Sequence, residues 1–144
     1  MIEAAQVVPL MLEACPSAEQ AWRDHVAWWD GEPAGHYNDV NVFAHHAVDA
    51  YEASRTEEFK ALFALVERLI VEGTEEVQNV AVVGFLEDVQ NIASWQPFGE
   101  EAFRPWLGPR SAQEWDALAA LWREHGSLAN IARHELRQRG SSSL

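Results

Sequence analysis

Residues 74–91, TEEVQNVAVVGFLEDVQN, constrain the fold more than any other stretch of this chain. Thr74 can cap a helix, and Glu75 and Glu76 then stand in the first turn, where carboxylates suit the positive end of the helix dipole. From Val80 to Leu86 the segment is apolar on every side, which a helix tolerates when neighbours surround it. Gly84 costs such a helix about 1 kcal/mol relative to Ala, so a close helix contact is its natural justification. The segment predicts a central packing helix with Val80, Val83, Gly84, Phe85 and Leu86 buried.

The rest of the chain reads as helices around it. Residues 2–14 form a first helix that Pro9 kinks or delays, with Pro16 after its end. Ser17 and Gln20 make a capping-box pair for a second helix reaching about Trp29, and DGEPAG at 30–35 is a loop. A third helix over 39–54 puts Val40, Phe43, Ala44, Ala47, Val48 and Tyr51 on one face. Thr56 caps a fourth, where Phe59, Leu62, Phe63, Val66, Leu69 and Ile70 repeat the spacing, and Gly73 supplies a C′ stop. So short a connection to the next helix makes the two antiparallel. Residues 96–109, rich in Pro and Gly, read as a loop with one short helical turn. Ser111 and Glu114 form a second capping-box pair for a helix to Glu124 that carries Trp115, Leu118, Ala119 and Trp122 on one side. Ser127 opens a last helix, with Leu128, Ile131, Ala132 and Leu136 inward, and 140–144 is a frayed tail. Period-2 alternation and hairpin turns are missing. The expectation is an all-α single domain over 1–139, of six to eight helices, followed by a flexible tail.

Charge separates the two halves. Residues 1–103 carry 19 acids and 4 bases, while 104–144 carry 4 acids and 6 bases. Such a surface repels nucleic acid, which is bound by cationic side chains, and attracts a basic protein. No apolar run approaches a membrane span, and residues 1–12 lack a basic leader, so a cytoplasmic location is expected. Cys15 is the sole cysteine, which is read as excluding an internal disulfide and any cysteine-based zinc cage.

The helix pair of residues 56–91, with TEEF, EGTEEVQN and VGFLEDVQN, resembles an uncharacterised family of small bacterial helical proteins. LGPRSAQEWDALAALW at 107–122 is similar to that family's C-terminal segment. The resemblance covers the second half of the chain and the third helix, and the N-terminal part with Trp22, Trp28 and Trp29 matches nothing. It implies a compact helical unit with HEAT-like paired helices, and it implies no reaction, cofactor or catalytic residue.

Among groups able to do chemistry, His45, Asp49 and Glu52 share one face of the third helix, with His46 beside them. One turn of imidazole and carboxylate can hold a zinc-like cation, completed by His25 or His36, although a solvated helix face has the same composition. Glu87 and Asp88 follow the apolar run. As neighbours on one helix they diverge too far for paired acid–base work, so one of them is expected to bond Arg104, Arg110 or backbone N–H groups of the 96–109 loop. Trp28 and Trp29 are consecutive, so a helix cannot bury both in one direction. Motifs for a nucleophile or for phosphate binding are lacking.

The reading is a non-enzymatic acidic module that binds another protein through Glu57, Glu58, Glu72, Glu75 and Glu76, with Trp28 and Trp29 at an exposed edge. Its most concrete form is an immunity- or antitoxin-like inhibitor of a basic effector. The alternative is a small metal-binding protein or metal-dependent enzyme using His45, His46 and Asp49.

Overall fold

The computed structural model describes residues 1–125, and the helix expected from Ser127 and the tail at 140–144 lie outside the described residues. Seven α-helices follow one another with no strand among the described residues: α1 (Val7–Ala14), α2 (Glu19–Trp28), α3 (His36–Glu52), α4 (Phe59–Glu72), α5 (Glu75–Asn79), α6 (Glu87–Ser94) and α7 (Pro109–His125). The fold is all-α and forms a single domain. Pro9 sits in the first turn of α1, where its missing N–H has no helical partner, so it delays the helix behind a short 3₁₀ turn at Ala4–Gln6.

The α4–α5 hairpin organises the core. Every apolar position read from the α4 periodicity is buried, and Phe63 meets Phe85 with ring centroids 5.8 Å apart. Those residues lie ten before and twelve after Gly73, as antiparallel packing requires. Thr74 caps α5 by accepting from Val77 N at 3.2 Å. Gly73 stops α4 as expected, with an extended backbone at φ −82 and ψ 161 rather than the left-handed conformation common at such a position. Glycine is needed there for space, because a Cβ would collide with Leu69 O and with Val77 Cγ1. Ile2 straps the hairpin turn, donating to Glu72 O at 2.9 Å and accepting from Thr74 N at 3.0 Å.

Between α5 and α6 the helix continues through a π-helical stretch, Val80–Leu86. Gly84 is buried against α3, where an added Cβ would lie 2.8 Å from Val40 Cγ2. Val80, Ala81, Phe85 and Leu86 are buried with it, but Val83 is 47% exposed. The expectation that Val83 is buried was therefore wrong. Helices α3, α4 and α7 all pack on this stretch, and they leave an outward strip that includes Val83.

Helix α3 begins three residues earlier than expected, and its apolar stripe is buried from Val40 to Val48. The 96–109 segment holds a 3₁₀ helix, Glu100–Trp106, longer than the single turn expected. Aromatic contacts hold it: Tyr51 lies 4.7 Å from Phe98 and 5.2 Å from Phe103, and Phe59 lies 5.0 Å from Trp106. Trp115 is buried, whereas Trp122 is half-buried and donates its indole N–H to the buried Gln90 at 3.1 Å.

The local capping signals were misleading at three places. Helix α4 starts at Phe59 with Glu58 in the cap position, so Thr56 caps nothing. Ser17 lies in a 3₁₀ turn, Pro16–Ala18, and its hydroxyl turns to Glu58 and His46. Helix α7 starts at Pro109, which places Ser111 inside it, and its first N–H groups are satisfied by Glu67 of α4. At Ser17 and at the start of α7 a distant carboxylate replaced the local partner.

Candidate functional site

Two regions gather the side chains able to act on something else. The first lies where the α1–α2 connection crosses the C-terminal half of α3 and the start of α4. Cys15 ends α1, buried at 3% exposure, and its thiol donates to Glu58 Oε1 at 3.2 Å. Ser17 donates its hydroxyl to the same oxygen and stands 2.8 Å from His46 Nε2. Its backbone N–H is shared between the two Glu58 oxygens at 3.3 Å each. Glu58 thus takes the thiol, the hydroxyl and the Ser17 N–H of this connection.

The charges follow from that arrangement. Burial, reinforced by Glu58, pushes the Cys15 thiol up to about 12, so it is not a free thiolate at neutral pH. Partial burial works against ionisation of Glu58, but the bonds from Ser17 and Cys15 outweigh it and hold the carboxyl below its ordinary range. Burial lowers the His46 imidazole, with Glu58 opposing and Arg55 assisting. Ser17, His46 and Glu58 do not make a nucleophilic triad. In a triad the acid orients the far nitrogen of the imidazole, whereas here the acid takes the serine proton directly.

The second region is the end of the molecule carrying the α2–α3 loop and the α4–α5 turn. Trp28 is 83% exposed and Trp29 half as much, in keeping with the geometric conflict between consecutive tryptophans. The Trp29 ring lies 6.4 Å from that of His25, whose Nε2 is 2.9 Å from Asp39 Oδ1. One turn before Asp39, His36 Nε2 lies 3.5 Å from Glu76 Oε1. This chain of neighbours joins the tryptophan edge to Glu75 and Glu76, which are exposed. Exposed Val26 adjoins Trp22 and Trp29, and Tyr37 and Val83 are exposed as well. A groove of about 210 Å³ lined by Trp22, His25, Trp29, Pro33 and Asp39 opens beside it.

The acids named from sequence divide between the two regions. Glu72, Glu75 and Glu76 lie at the hairpin turn, with Glu72 also paired to Arg68 at 3.1 Å. Glu57 and Glu58 lie at the other end of α4, roughly 20 Å away at the usual rise per residue, and Glu58 is engaged in the first region. The α3 face does not gather the expected metal set. His45, Asp49 and Glu52 are exposed, His25 and His36 pair with Asp39 and Glu76, and only His46 joins other donors. Among the described residues, the one trio of metal-ligand atoms lying within 4.8 Å of one another is Cys15, His46 and Glu58. Cys15 and Ser17 escaped the sequence reading because they stand 29 or more residues from their partners, and no local motif encodes such a meeting. Glu87 and Asp88 are both half-buried, and Asp88 accepts from Asn41 Nδ2 at 2.9 Å. Arg104 binds Glu101 and Asp116, and the carboxylate serving backbone N–H groups after Gly108 is Glu67.

A family described as "Domain of unknown function (DUF7674)" matches residues 8–123 of the chain, and the chain belongs to it. The match reaches back through Trp22, Trp28 and Trp29, so the likeness is not confined to the second half and the third helix. No curated protein and no solved structure matches the chain significantly.

Proposed function

We propose that this member of the family is a non-enzymatic binding module that engages a basic protein at the end of the molecule formed by the α2–α3 loop and the α4–α5 turn. The observation that carries the proposal is the joining there of exposed aromatic area, with Trp28 at 83% exposure, to the Glu75–Glu76 carboxylates through His36. Aromatic side chains at a partly exposed edge supply binding energy, and surrounding charge of one sign supplies steering. The acidic excess of residues 1–103 sets that sign. Glu57, at the far end of α4, contributes only to the long-range field in this reading. The most concrete form is an immunity- or antitoxin-like inhibitor that covers the basic cleft of an effector.

The test compares wild type, Trp28→Ser and a triple reversal of Glu72, Glu75 and Glu76 to Lys as baits in a native lysate. A basic partner captured by wild type should be lost with Trp28→Ser. It should associate at least about ten-fold more slowly with the triple variant at low salt, a difference that fades as salt shortens the Debye length. A partner held equally by all three baits at every salt concentration would refute this interface.

A further inference from the structure

We propose that Cys15 Sγ, His46 Nε2 and Glu58 Oε1 form a binding site for one zinc ion, with a fourth position open to solvent. The three ligand atoms already lie within 4.8 Å of one another, and Sγ and Oε1 are 3.2 Å apart. Bonds of about 2.0–2.3 Å in a tetrahedral site place ligand atoms roughly 3.3–3.8 Å apart, so only small side-chain closures are needed. Thiolate, imidazole and carboxylate together suit zinc, while calcium and magnesium require oxygen donors alone. The elements carrying them are well held. Cys15 N–H bonds Met11 O at 2.8 Å, His46 lies inside α3, and Glu58 stands immediately before α4, its C=O accepting from Leu62 N at 2.9 Å.

The Ser17 hydroxyl touches the same groups: it donates to Glu58 Oε1, stands 2.8 Å from His46 Nε2 and lies 3.9 Å from Cys15 Sγ, so it competes with a cation for two of the three ligands. Because the Ser17 proton points to Glu58, His46 gives its Nε2–H to Ser17 Oγ. Zinc entry then has a defined balance. The Cys15 thiol loses its proton to solvent, the imidazole proton transfers from Nε2 to Nδ1 through solvent, and Ser17 rotates its hydroxyl away. No electrons move. Ser17 is exposed, so its displaced hydroxyl can be hydrated. The site is independent of the tryptophan edge, and neither proposal requires the other.

The experiment titrates the full chain, stripped by a chelator, with zinc against a chromophoric competitor and with cobalt as a spectroscopic substitute. The expected result is one ion per chain and a thiolate-to-cobalt charge-transfer band. That band can only come from Cys15, since the chain has no other cysteine. Cys15→Ser should abolish the band. His46→Gln and Glu58→Gln, with helical circular dichroism unchanged, should each weaken zinc more than about 100-fold, beyond the 10–100-fold usual for outer partners. Ser17→Ala, which removes the competing hydroxyl, should bind zinc as tightly as wild type or more so. A wild-type protein that binds no zinc, or that binds cobalt without a thiolate band, would overturn the proposal. Binding unchanged by Glu58→Gln and His46→Gln would also overturn it.

Discussion

Replacing Glu67 by Ala should destabilise the protein by about 2–4 kcal/mol, although Glu67 is only half-buried. Its carboxylate accepts from Arg110 N at 3.0 Å, Ser111 N at 2.8 Å and Ser111 Oγ at 2.9 Å. Losing a cap from a helix start costs about 0.5–2 kcal/mol. Ser111 is fully buried, so its orphaned hydroxyl adds about 1–3 kcal/mol. At roughly 3–5 °C per kcal/mol for a chain of this length, the Tm should fall by on the order of 10 °C. Glu67→Gln, which keeps the shape with one neutral acceptor oxygen, should cost less. The pH dependence adds a second readout. Partial burial would raise the Glu67 carboxyl, but the three hydrogen bonds outweigh it and the net shift is downward. A carboxyl lowered by folding contributes stability in full above its unfolded pKa and loses it as pH falls through the lowered folded value. Urea unfolding from neutral to acid pH should therefore show a shallower acid loss for Glu67→Gln than for wild type. Equal stability of Glu67→Ala and wild type at neutral pH would refute the idea that α4 caps α7.

Two further substitutions probe the packing. Gly84→Leu should destabilise by about 1–3 kcal/mol or more in thermal unfolding, because the Cβ alone would press on the stiff, buried Val40; Val83→Ser, one residue earlier on the exposed strip, should stay within about 0.5 kcal/mol. Gln90→Leu should cost on the order of 2 kcal/mol by urea titration, since the buried amide donates to Trp115 O at 3.0 Å and accepts from Trp122 Nε1, and both partners would lose it.

These positions also show which physical signals a linear chain carries. The stripes of α3 and α4 were legible because each helix buries one face, and that demand repeats every three to four residues whatever the neighbours are. Thr74 was legible because a side-chain cap lies three residues from its target. The caps at Ser17 and Ser111 were misread because a distant carboxylate satisfies the same N–H groups better than the local pair does, and nothing in SAEQ or SAQE records that competitor. Val83 was misread because an apolar run states what a segment tolerates, not how many sides its neighbours cover. The metal reading sought partners for His46 one turn away along α3, whereas the fold brings Cys15 and Glu58 to it from the end of α1 and the start of α4.

Glu58 and Glu67 together show why an acidic composition does not by itself assign a function. Both carboxylates belong to the α4 region, both are held below the ordinary range by hydrogen bonds that outweigh partial burial, and both reach a turn on a neighbouring segment. They differ in what donates to them. Glu67 receives two backbone N–H groups and a buried hydroxyl, and a cation arriving there would leave all three without a partner. Glu58 receives a thiol proton and an exposed serine hydroxyl. The first can be released and the second can turn to water, while His46 can move its Nε2 proton to Nδ1 and so offer a further lone pair. Exchangeable donors make a carboxylate available to a metal, and fixed donors make it a cap. The two glutamates should separate accordingly: Glu67→Gln should lower stability and leave cobalt binding untouched, whereas Glu58→Gln should remove cobalt binding at a smaller cost in stability. A single pattern shared by both variants would show that hydrogen-bond partners do not divide their roles.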